Sequence, residues 1–240
     1  MPAVQRSQRH ERVVAVVAHP DDAELLAYGT LRRYRKRGAT VTVLMATDGA
    51  RGISLADAER GIRLAPKERV HEVEGAWAST GVEVASLGLA DGALSAEPEL
   101  IPHVEGALVR VGCTVLITHS PRAANDHQDH RALAAAATNA ATRLPSCHTV
   151  LYGEPHAPRS GFAPTVLVDI TGFLDDKIKA LAQHASQGAR WYLGESYTRD
   201  RAAAAGWRLR PADTAAGRRY EAFETPLLTL LHPLAGEEQE

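Results

Sequence analysis

Short runs of apolar residues recur along the chain, and they constrain the fold more than any other feature. Each run has four to seven residues and is rich in Val, Ile or Leu. Continuous apolar runs of this length are typical of strands that are buried on both faces of a sheet. The sequence therefore predicts strands over residues 13–18, 40–46, 82–87, 113–118, 149–152 and 165–170.

Segments with helical periodicity lie between these runs. In residues 23–36, the side chains of Leu25, Leu31 and Tyr34 fall on one side, and Gly38 follows as a stop signal. Because strands and helices alternate, we predict an α/β fold: a Rossmann-like, mostly parallel sheet with helices on both faces, in a single domain. The other predicted helices of this part cover residues 67–79, 98–111 and 129–143.

The C-terminal third is less regular. We predict a helix over 174–187, a helix followed by a loop over 196–217, and an edge strand or packing segment over 220–231. A length of 240 residues suits one large domain. The predicted organisation is a flexible tail (1–12), a single domain (13–232) made of a Rossmann-like core (13–155) and a substrate-shaping part (156–232), and a C-terminal tail (233–240).

Charge and composition exclude several classes of function. The net charge of −2 at pH 7 is too small to attract nucleic acid or an anionic membrane, so neither is an expected partner. The first apolar run is too short for a signal or membrane-spanning segment, and we expect a cytoplasmic protein. Cys113 and Cys147 are too few for a disulfide framework or a cysteine zinc site, and are predicted to be buried thiols. The sequence leaves a homo-oligomer open.

Polar residues follow the first four predicted strands. His19, Asp21 and Asp22 follow the first, Asp48 follows the second, and Asp91 follows the third. The carboxyl ends of parallel strands form the edge at which ligands bind. The fourth strand is followed by His119 and then by the segment Asn125-Asp126-His127-Gln128-Asp129-His130. No phosphate-binding glycine loop competes for this edge, so a nucleotide cofactor is not expected.

This constellation predicts a metal site. His127 and His130 are three residues apart at the start of a predicted helix, so they share one face. A hydrolytic zinc site commonly has three protein ligands and a position for water. Four candidates compete for these places: His19, His127, His130 and one of the two adjacent aspartates. Because adjacent side chains diverge, one aspartate is expected to bind the metal and the other to accept a proton. The alternative for each motif alone is structural, a helix-capping turn or an incidental histidine pair.

At this point the sequence resembles the LmbE/PIG-L family of zinc-dependent de-N-acetylases. The resemblance rests mainly on the motifs "AHPDDAEL" at 18–25 and "HQDHRA" at 127–132. It is supported by "GT" at 29–30, "TDG" at 47–49, "RVHEVEGA" at 69–76, "LGLADG" at 87–92, "VDIT" at 168–171, "KIKALAQHASQ" at 177–187 and "YEAFE" at 220–224. It covers roughly residues 13 to 225 and implies a Rossmann-like α/β fold.

The resemblance also implies a role for each motif residue. The zinc ligands would be His19, Asp22 and His130, and the general base would be Asp21. His127 would face the substrate, where it polarises the amide oxygen or protonates the leaving amine, and Asp129 would orient His127. The chain departs from many relatives at Tyr28, where they have glycine, and at Asn125-Asp126, where some have a tyrosine.

Three further residues are tentative substrate contacts: Asp48, Arg69 and His184. Each has a structural alternative. Asp48 precedes Gly49 and could simply form a turn, Arg69 could pair with Glu72 three residues later on a helix, and His184 could be a packing residue. Aromatic residues of the last third could shape the substrate site or pack in the core: Trp191, Tyr192, Tyr197 and Trp207.

The predicted function is hydrolysis of an N-acetyl or other N-acyl group on a small amino sugar or glycoconjugate, giving acetate and an amine. One alternative keeps the zinc but changes the substrate to a longer acyl chain or a non-sugar metabolite. Another, of a different class, is an inactive metal- or ligand-binding module. Two histidines and a carboxylate also accept metals other than zinc.

Overall fold

The computed structural model describes residues 10–53, 55–95, 99–122, 126–156 and 161–228. All six predicted strands are present, and a seventh joins them in one sheet. The predicted tails lie largely outside the described residues. The strands are β1 (Arg12–Val17), β2 (Thr40–Thr47), β3 (Glu83–Leu89), β4 (Val115–Thr118), β5 (Thr149–Gly153), β6 (Val166–Asp169) and β7 (Tyr220–Leu228).

The sheet has the order β3-β2-β1-β4-β5-β7-β6. The first five strands in this order are parallel, whereas β7 is antiparallel to both β5 and β6. The predicted Rossmann-like, mostly parallel sheet is therefore confirmed. The segment expected to give an edge strand is instead an inner strand, β7, and the edge is β6. Strand β1 pairs with β2 on one side and with β4 on the other. The strand order therefore reverses next to β1.

Helices cover both faces of the sheet, as predicted. Along β1, Val13, Ala15 and Val17 pack in the core on one face, and Val14 and Val16 pack in the core on the other. This two-residue alternation explains why the run is apolar throughout. The outermost strand β3 differs from the prediction of burial on both faces, because its residues alternate between exposed and half-buried positions.

The four helices predicted between the first five strands are present, α2 was not predicted, and the helices of the C-terminal third differ from the prediction. The predicted helix over 174–187 ends early, at Leu181, and the chain then turns inward at His184. Pro211 separates α7 from α8, where a loop was expected. The helices are α1 (Asp22–Lys36), α2 (Leu55–Glu59), α3 (Pro66–Trp77), α4 (Leu100–Val111), α5 (Gln128–Arg143), α6 (Leu174–Leu181), α7 (Glu195–Leu209) and α8 (Pro211–Ala215).

Helix α1 is broken at Ala27, which has φ −151° and ψ 17°. The buried carboxylate of Glu221 accepts hydrogen bonds from the backbone N–H groups of Gly29 (3.0 Å) and Thr30 (2.8 Å). The ammonium of Lys177 donates to the carbonyl of Leu25 (2.9 Å) and to Glu221 (2.7 Å). These two side chains therefore satisfy backbone groups near the break, and β7 and α6 hold α1 in place.

None of the helices that the structure describes has the length and apolar character needed to cross a lipid bilayer. Cys113 and Cys147 are both buried and form no disulfide, as the composition predicts.

Candidate metal centre

The two histidine motifs meet at the carboxyl end of β1, next to β4. His19 follows β1 and Asp22 begins α1, and the backbone N–H of His19 donates to Asp22 Oδ2 at 2.7 Å. Asp21, between them, has φ 110°, in the left-handed region that side-chain-bearing residues seldom adopt. This turn separates the two carboxylates: Asp22 points into the histidine cluster and Asp21 points toward Arg69. The expected divergence of the two aspartates is present.

Potential ligand atoms of three residues lie close together. His19 Nδ1 lies 3.2 Å from His130 Nε2 and 3.4 Å from Asp22 Oδ2, and His130 Nε2 lies 3.3 Å from Asp22 Oδ1. Ligand atoms of a tetrahedral zinc ion are ~3.3 Å apart, since each lies ~2.0–2.1 Å from the metal. Each pair of the residues predicted to bind zinc is therefore close to this spacing, although Asp22 contacts the two histidines through different carboxylate oxygens.

Outer carboxylates orient both histidines. His130 Nδ1 lies 2.9 Å from Asp126 Oδ1, and His19 Nε2 lies 3.1 Å from Asp91 Oδ1 and 3.3 Å from Asp129 Oδ2. A ring nitrogen that donates to a carboxylate leaves the lone pair of the other nitrogen for a metal. Both lone pairs therefore point toward the centre. The sequence predicted Asp126 only as a possible cap of α5, together with Asn125, and Asp91 only as a residue at a strand end; the observed cap is His127.

The cluster carries more negative charge than its histidines balance. Burial lowers the pKa of His19, but the carboxylates of Asp129, Asp22 and Asp91 outweigh burial and raise this pKa to about 12. For His130, Asp22 and Asp126 likewise outweigh burial and raise the pKa to about 9. Such a group holds either protons or a metal cation, and its histidine and aspartate side chains can bind a metal.

Other histidines at this site have competing contacts. Within the described part of the chain, three groups have ligand atoms close enough to share an ion: His19–His127–His130, Asp22–His119–His130 and His19–Asp91–Asp129. However, His119 Nε2 accepts the backbone N–H of Ala18 at 3.0 Å, so its lone pair is occupied. His127 Nδ1 accepts the backbone N–H of Asp129 at 3.2 Å and caps α5. His119 stacks on His130 at 4.0 Å and fixes that ring.

Asp21 contacts a buried arginine. Arg69 donates to Asp21 Oδ2 at 2.9 Å, to the carbonyl of Gly49 at 3.1 Å, and to the carbonyl of Pro20. The suggested Arg69–Glu72 pair is wrong, because Glu72 accepts instead from the backbone and hydroxyl of Ser186. Burial raises the pKa of Asp21 to about 6, although the Arg69 charge opposes this. A carboxylate with this pKa can exchange a proton near neutral pH.

Asp129 differs from its predicted role. Its carboxylate accepts the backbone N–H groups of Gly92 (2.8 Å) and Leu94 (3.1 Å) and faces His19, whereas its contact with His127 is through its backbone. The expectation that its carboxylate orients His127 does not match this geometry. The reason is that Asp129 lies on the first turn of α5, on the side of the 91–94 turn.

Two tentative substrate residues do not line the cleft. Asp48 accepts the backbone N–H of Ala50 at 3.0 Å and forms a turn. His184 is buried, with Nε2 3.3 Å from Glu24 Oε1, and both side chains are fully inaccessible. The structural alternatives for these two residues therefore describe their contacts better. Arg69 does line the cleft.

A cavity of about 490 Å³ opens onto the histidine cluster. Tyr192 lines it, which is one of the two alternatives given for the aromatic residues of the last third, and the Tyr192 ring packs on His156 at 4.2 Å. His156 also lines the cavity and was missed from sequence, because it stands alone in a proline-rich loop. Trp191 and Trp207 are exposed.

Comparison with known proteins decides the family. Residues 14–141, more than half of the chain, match the model of the PIG-L family, described as GlcNAc-PI de-N-acetylase. The chain belongs to this family. This confirms the family identified from the motifs, and with it the predicted reaction class, an N-deacetylase.

Curated PIG-L relatives match most of the chain. One is a probable N-acetyl-α-D-glucosaminyl L-malate deacetylase 2 of Bacillus cereus, 29% identical over 75% of this chain and 84% of the relative. Another is a 1D-myo-inositol 2-acetamido-2-deoxy-α-D-glucopyranoside deacetylase of Rhodococcus erythropolis, 24% identical over 74% and 81%. A solved structure with the same fold, at a TM-score of 0.77 and 20% identity over 94% of this chain and 100% of the other, is GalB, a 4-carboxy-2-hydroxymuconate hydratase of Pseudomonas putida. Fold alone therefore does not decide the chemistry.

Proposed function

We propose that this PIG-L protein hydrolyses the N-acetyl group of an N-acetylglucosamine conjugate with the help of a bound zinc ion. Water adds to the acetyl carbonyl, the C–N bond breaks, and acetate and a free amine result. The observation that carries the proposal is the placement of Asp21, a buried carboxylate beside a set of metal ligand atoms but not part of it. Both curated relatives described above are named for N-acetylglucosamine conjugates, which supports this substrate class.

His19, Asp22 and His130 would hold the metal. Their donor set of two imidazoles and one carboxylate suits zinc, and the outer carboxylates of Asp91, Asp126 and Asp129 would fix the rings. A bound zinc ion lowers the pKa of water and polarises a carbonyl.

Asp21 would accept the proton of the attacking water and deliver it to the amine nitrogen. Its pKa of about 6 leaves it ionised at neutral pH yet able to hold a proton briefly. Arg69 fixes its position, because the guanidinium binds Asp21, the preceding carbonyl of Pro20 and the carbonyl of Gly49 in the loop after β2.

His127 would polarise the acetyl oxygen. Burial and the neighbouring His19 and His130 lower the pKa of His127, so the ring is neutral at neutral pH. Because Nδ1 accepts the Asp129 N–H, the ring proton is on Nε2, which is free to donate. Of the two roles considered for His127, this geometry favours the hydrogen-bond donor. One well-aimed donor of this kind contributes about 3 kcal/mol to transition-state stabilisation.

The test combines metal analysis with an assay of acetate and amine release from N-acetylglucosamine glycosides. We expect about one zinc per chain, loss of release with a chelator, and recovery on adding zinc. Glu74→Gln removes a carboxylate at an exposed position on α3 and is the control for variants of the site. Its zinc content and its rate of amine release should equal those of the wild type. Release that persists in the metal-free protein would contradict the proposal. Bound metal without release from any amide would favour the binding-module alternative.

A further inference from the structure

Two arginines line the cavity on the side of the loop that follows β2. Arg51 lies in this loop, and its backbone N–H donates to Asp91 Oδ2 at 2.6 Å. Arg190 precedes the turn at Trp191–Leu193 and donates from Nη2 to the carbonyl of Gly52 at 3.3 Å. Arg51 therefore belongs to the loop after β2 and Arg190 contacts the same loop. We call these two residues the arginine wall.

The loop after β2, which carries Arg51 and accepts the hydrogen bond of Arg190, is closely packed. A methyl group placed on Gly52 would lie 2.6 Å from Arg69 Nη1 and 3.1 Å from the carbonyl oxygen of Gly49. The side chain of Arg51 runs beside Gly92, since a methyl group there would lie 3.3 Å from Arg51 Cδ and 3.4 Å from its Nη1. The Gly92 N–H in turn binds Asp129 of the metal centre. Arg51 is thus next to Gly92, whose N–H binds a carboxylate of the metal centre.

The charged side chains that line the cavity differ in whether they have a partner of opposite charge. At the metal centre, Asp21 binds Arg69 and the other carboxylates face histidines. In the part of the chain that the structure describes, by contrast, neither guanidinium of the wall has a carboxylate partner, and Arg51 meets Asp91 only through its backbone N–H. Guanidinium groups bind carboxylates and phosphates through paired hydrogen bonds.

We propose that the arginine wall binds an anionic group, a carboxylate or a phosphate, carried by the non-sugar part of the amino-sugar conjugate. This deepens the proposed function and rests on it. The metal centre would take the acetamide, and the arginine wall would select conjugates by the charge at the other end. The substrate class is then an N-acetylated amino sugar with an anionic substituent.

The test compares matched substrates. The carboxymethyl α-glycoside of N-acetylglucosamine and its carbamoylmethyl analogue have the same size and differ in charge, and N-acetylglucosamine 1-phosphate supplies the phosphate arm. We expect kcat/KM for the better anionic substrate to exceed that of the neutral one by roughly tenfold to a hundredfold, mainly through KM. The arm with the larger ratio identifies carboxylate or phosphate as the preferred group.

The preference should disappear in the double variant Arg51→Gln/Arg190→Gln, so that its ratio of kcat/KM for the anionic and neutral glycosides falls to about one. Arg110→Gln removes one positive charge from an exposed position on α4, outside the cavity, and should keep the preference. Equal kcat/KM for anionic and neutral substrates, or a preference that survives in the double variant, would overturn the arginine wall while leaving the deacetylase intact.

If no glycoside is hydrolysed, the result counts against the proposed function and not against the arginine wall. Binding of the same glycosides, measured by calorimetry, then tests the arginine wall. The wild type should then bind the carboxymethyl glycoside at least about tenfold more tightly than the carbamoylmethyl one, and the double variant should not. Equal affinities for the two glycosides would overturn the inference.

Discussion

Two buried groups of charged residues differ in how completely their polar atoms are satisfied. In the Glu221 cluster, formed by Glu221, Lys177 and the N–H groups of Gly29 and Thr30, both carboxylate oxygens accept hydrogen bonds and the ammonium lies on one of them. In the metal centre, carboxylates outnumber the histidines they face, and ring lone pairs converge on one point.

The difference separates structure from function. A buried ion pair whose carboxylate oxygens both accept hydrogen bonds from its neighbours holds those neighbours in place, and here it holds the broken helix α1. A buried group that lacks positive charge is prepared for a cation. The two groups share α1, since Asp22 begins this helix and Gly29 and Thr30 follow its break, so the first group positions the second. The variants below test this division of roles.

The largest effect is expected for Asp22→Ala, which removes a predicted ligand. Catalysis should fall to the level of the metal-free protein, and bound zinc should be lost. In the wild type, zinc at about 100 times its dissociation constant adds about 2.7 kcal/mol to the free energy of unfolding. The variant should show no such increase in thermal unfolding with added zinc. An unchanged zinc content would remove Asp22 from the ligand set.

Asp21→Asn should separate chemistry from metal binding. We expect turnover to fall by about 10²–10⁴-fold, because the base is lost, while zinc content stays the same. Metal analysis and steady-state kinetics on one preparation measure both. Loss of metal together with turnover would instead make Asp21 a ligand.

Glu221→Gln should act on stability. Lys177 would keep a buried charge without its partner, so the free energy of unfolding should fall by about 3–5 kcal/mol, as measured in urea. The double variant Glu221→Gln/Lys177→Met removes both charges and should recover part of this loss. The folded fraction should still bind zinc. A selective loss of zinc at full stability would mean that the two groups are not divided as described.

Arg69→Gln should change the pH profile. Asp21 accepts a proton only when ionised, so activity is lost as the pH falls through its pKa of about 6. The Arg69 charge lowers this pKa; removing it should therefore shift the acid limb of kcat/KM to higher pH by about one unit. Arg69→Lys keeps the charge and should shift the limb less. A shift to lower pH would exclude Asp21 as the titrating base.

Asp48→Ala should have the smallest effect. It removes the hydrogen bond to the Ala50 N–H, so the free energy of unfolding should fall by about 0.5–1.5 kcal/mol. KM should not change, because Asp48 does not line the cavity. A large rise in KM with unchanged stability would restore Asp48 as a substrate contact.

Patterns in the sequence predicted those features of the molecule that depend on residues close together in the chain. The apolar runs gave six strands, and the polar residues after β1 and before α5 indicated the site, because parallel strands end at one edge. The inner position of β7 was missed, since its antiparallel pairing with β5 and β6 is a long-range contact that periodicity does not encode. The early end of α6 was missed for the same reason: His184 leaves the helix to reach Glu24.

The sequence by itself determined the fold class, the family and the residues able to bind a metal, because these depend on residue type and spacing along the chain. Only the tertiary structure decided which partner each charged side chain takes: Arg69 binds Asp21 rather than Glu72, and the Asp129 carboxylate faces His19 rather than His127. Ion pairs and hydrogen bonds act over a few ångströms in space. Residues far apart in the chain become partners only once the sheet has brought its strand ends together.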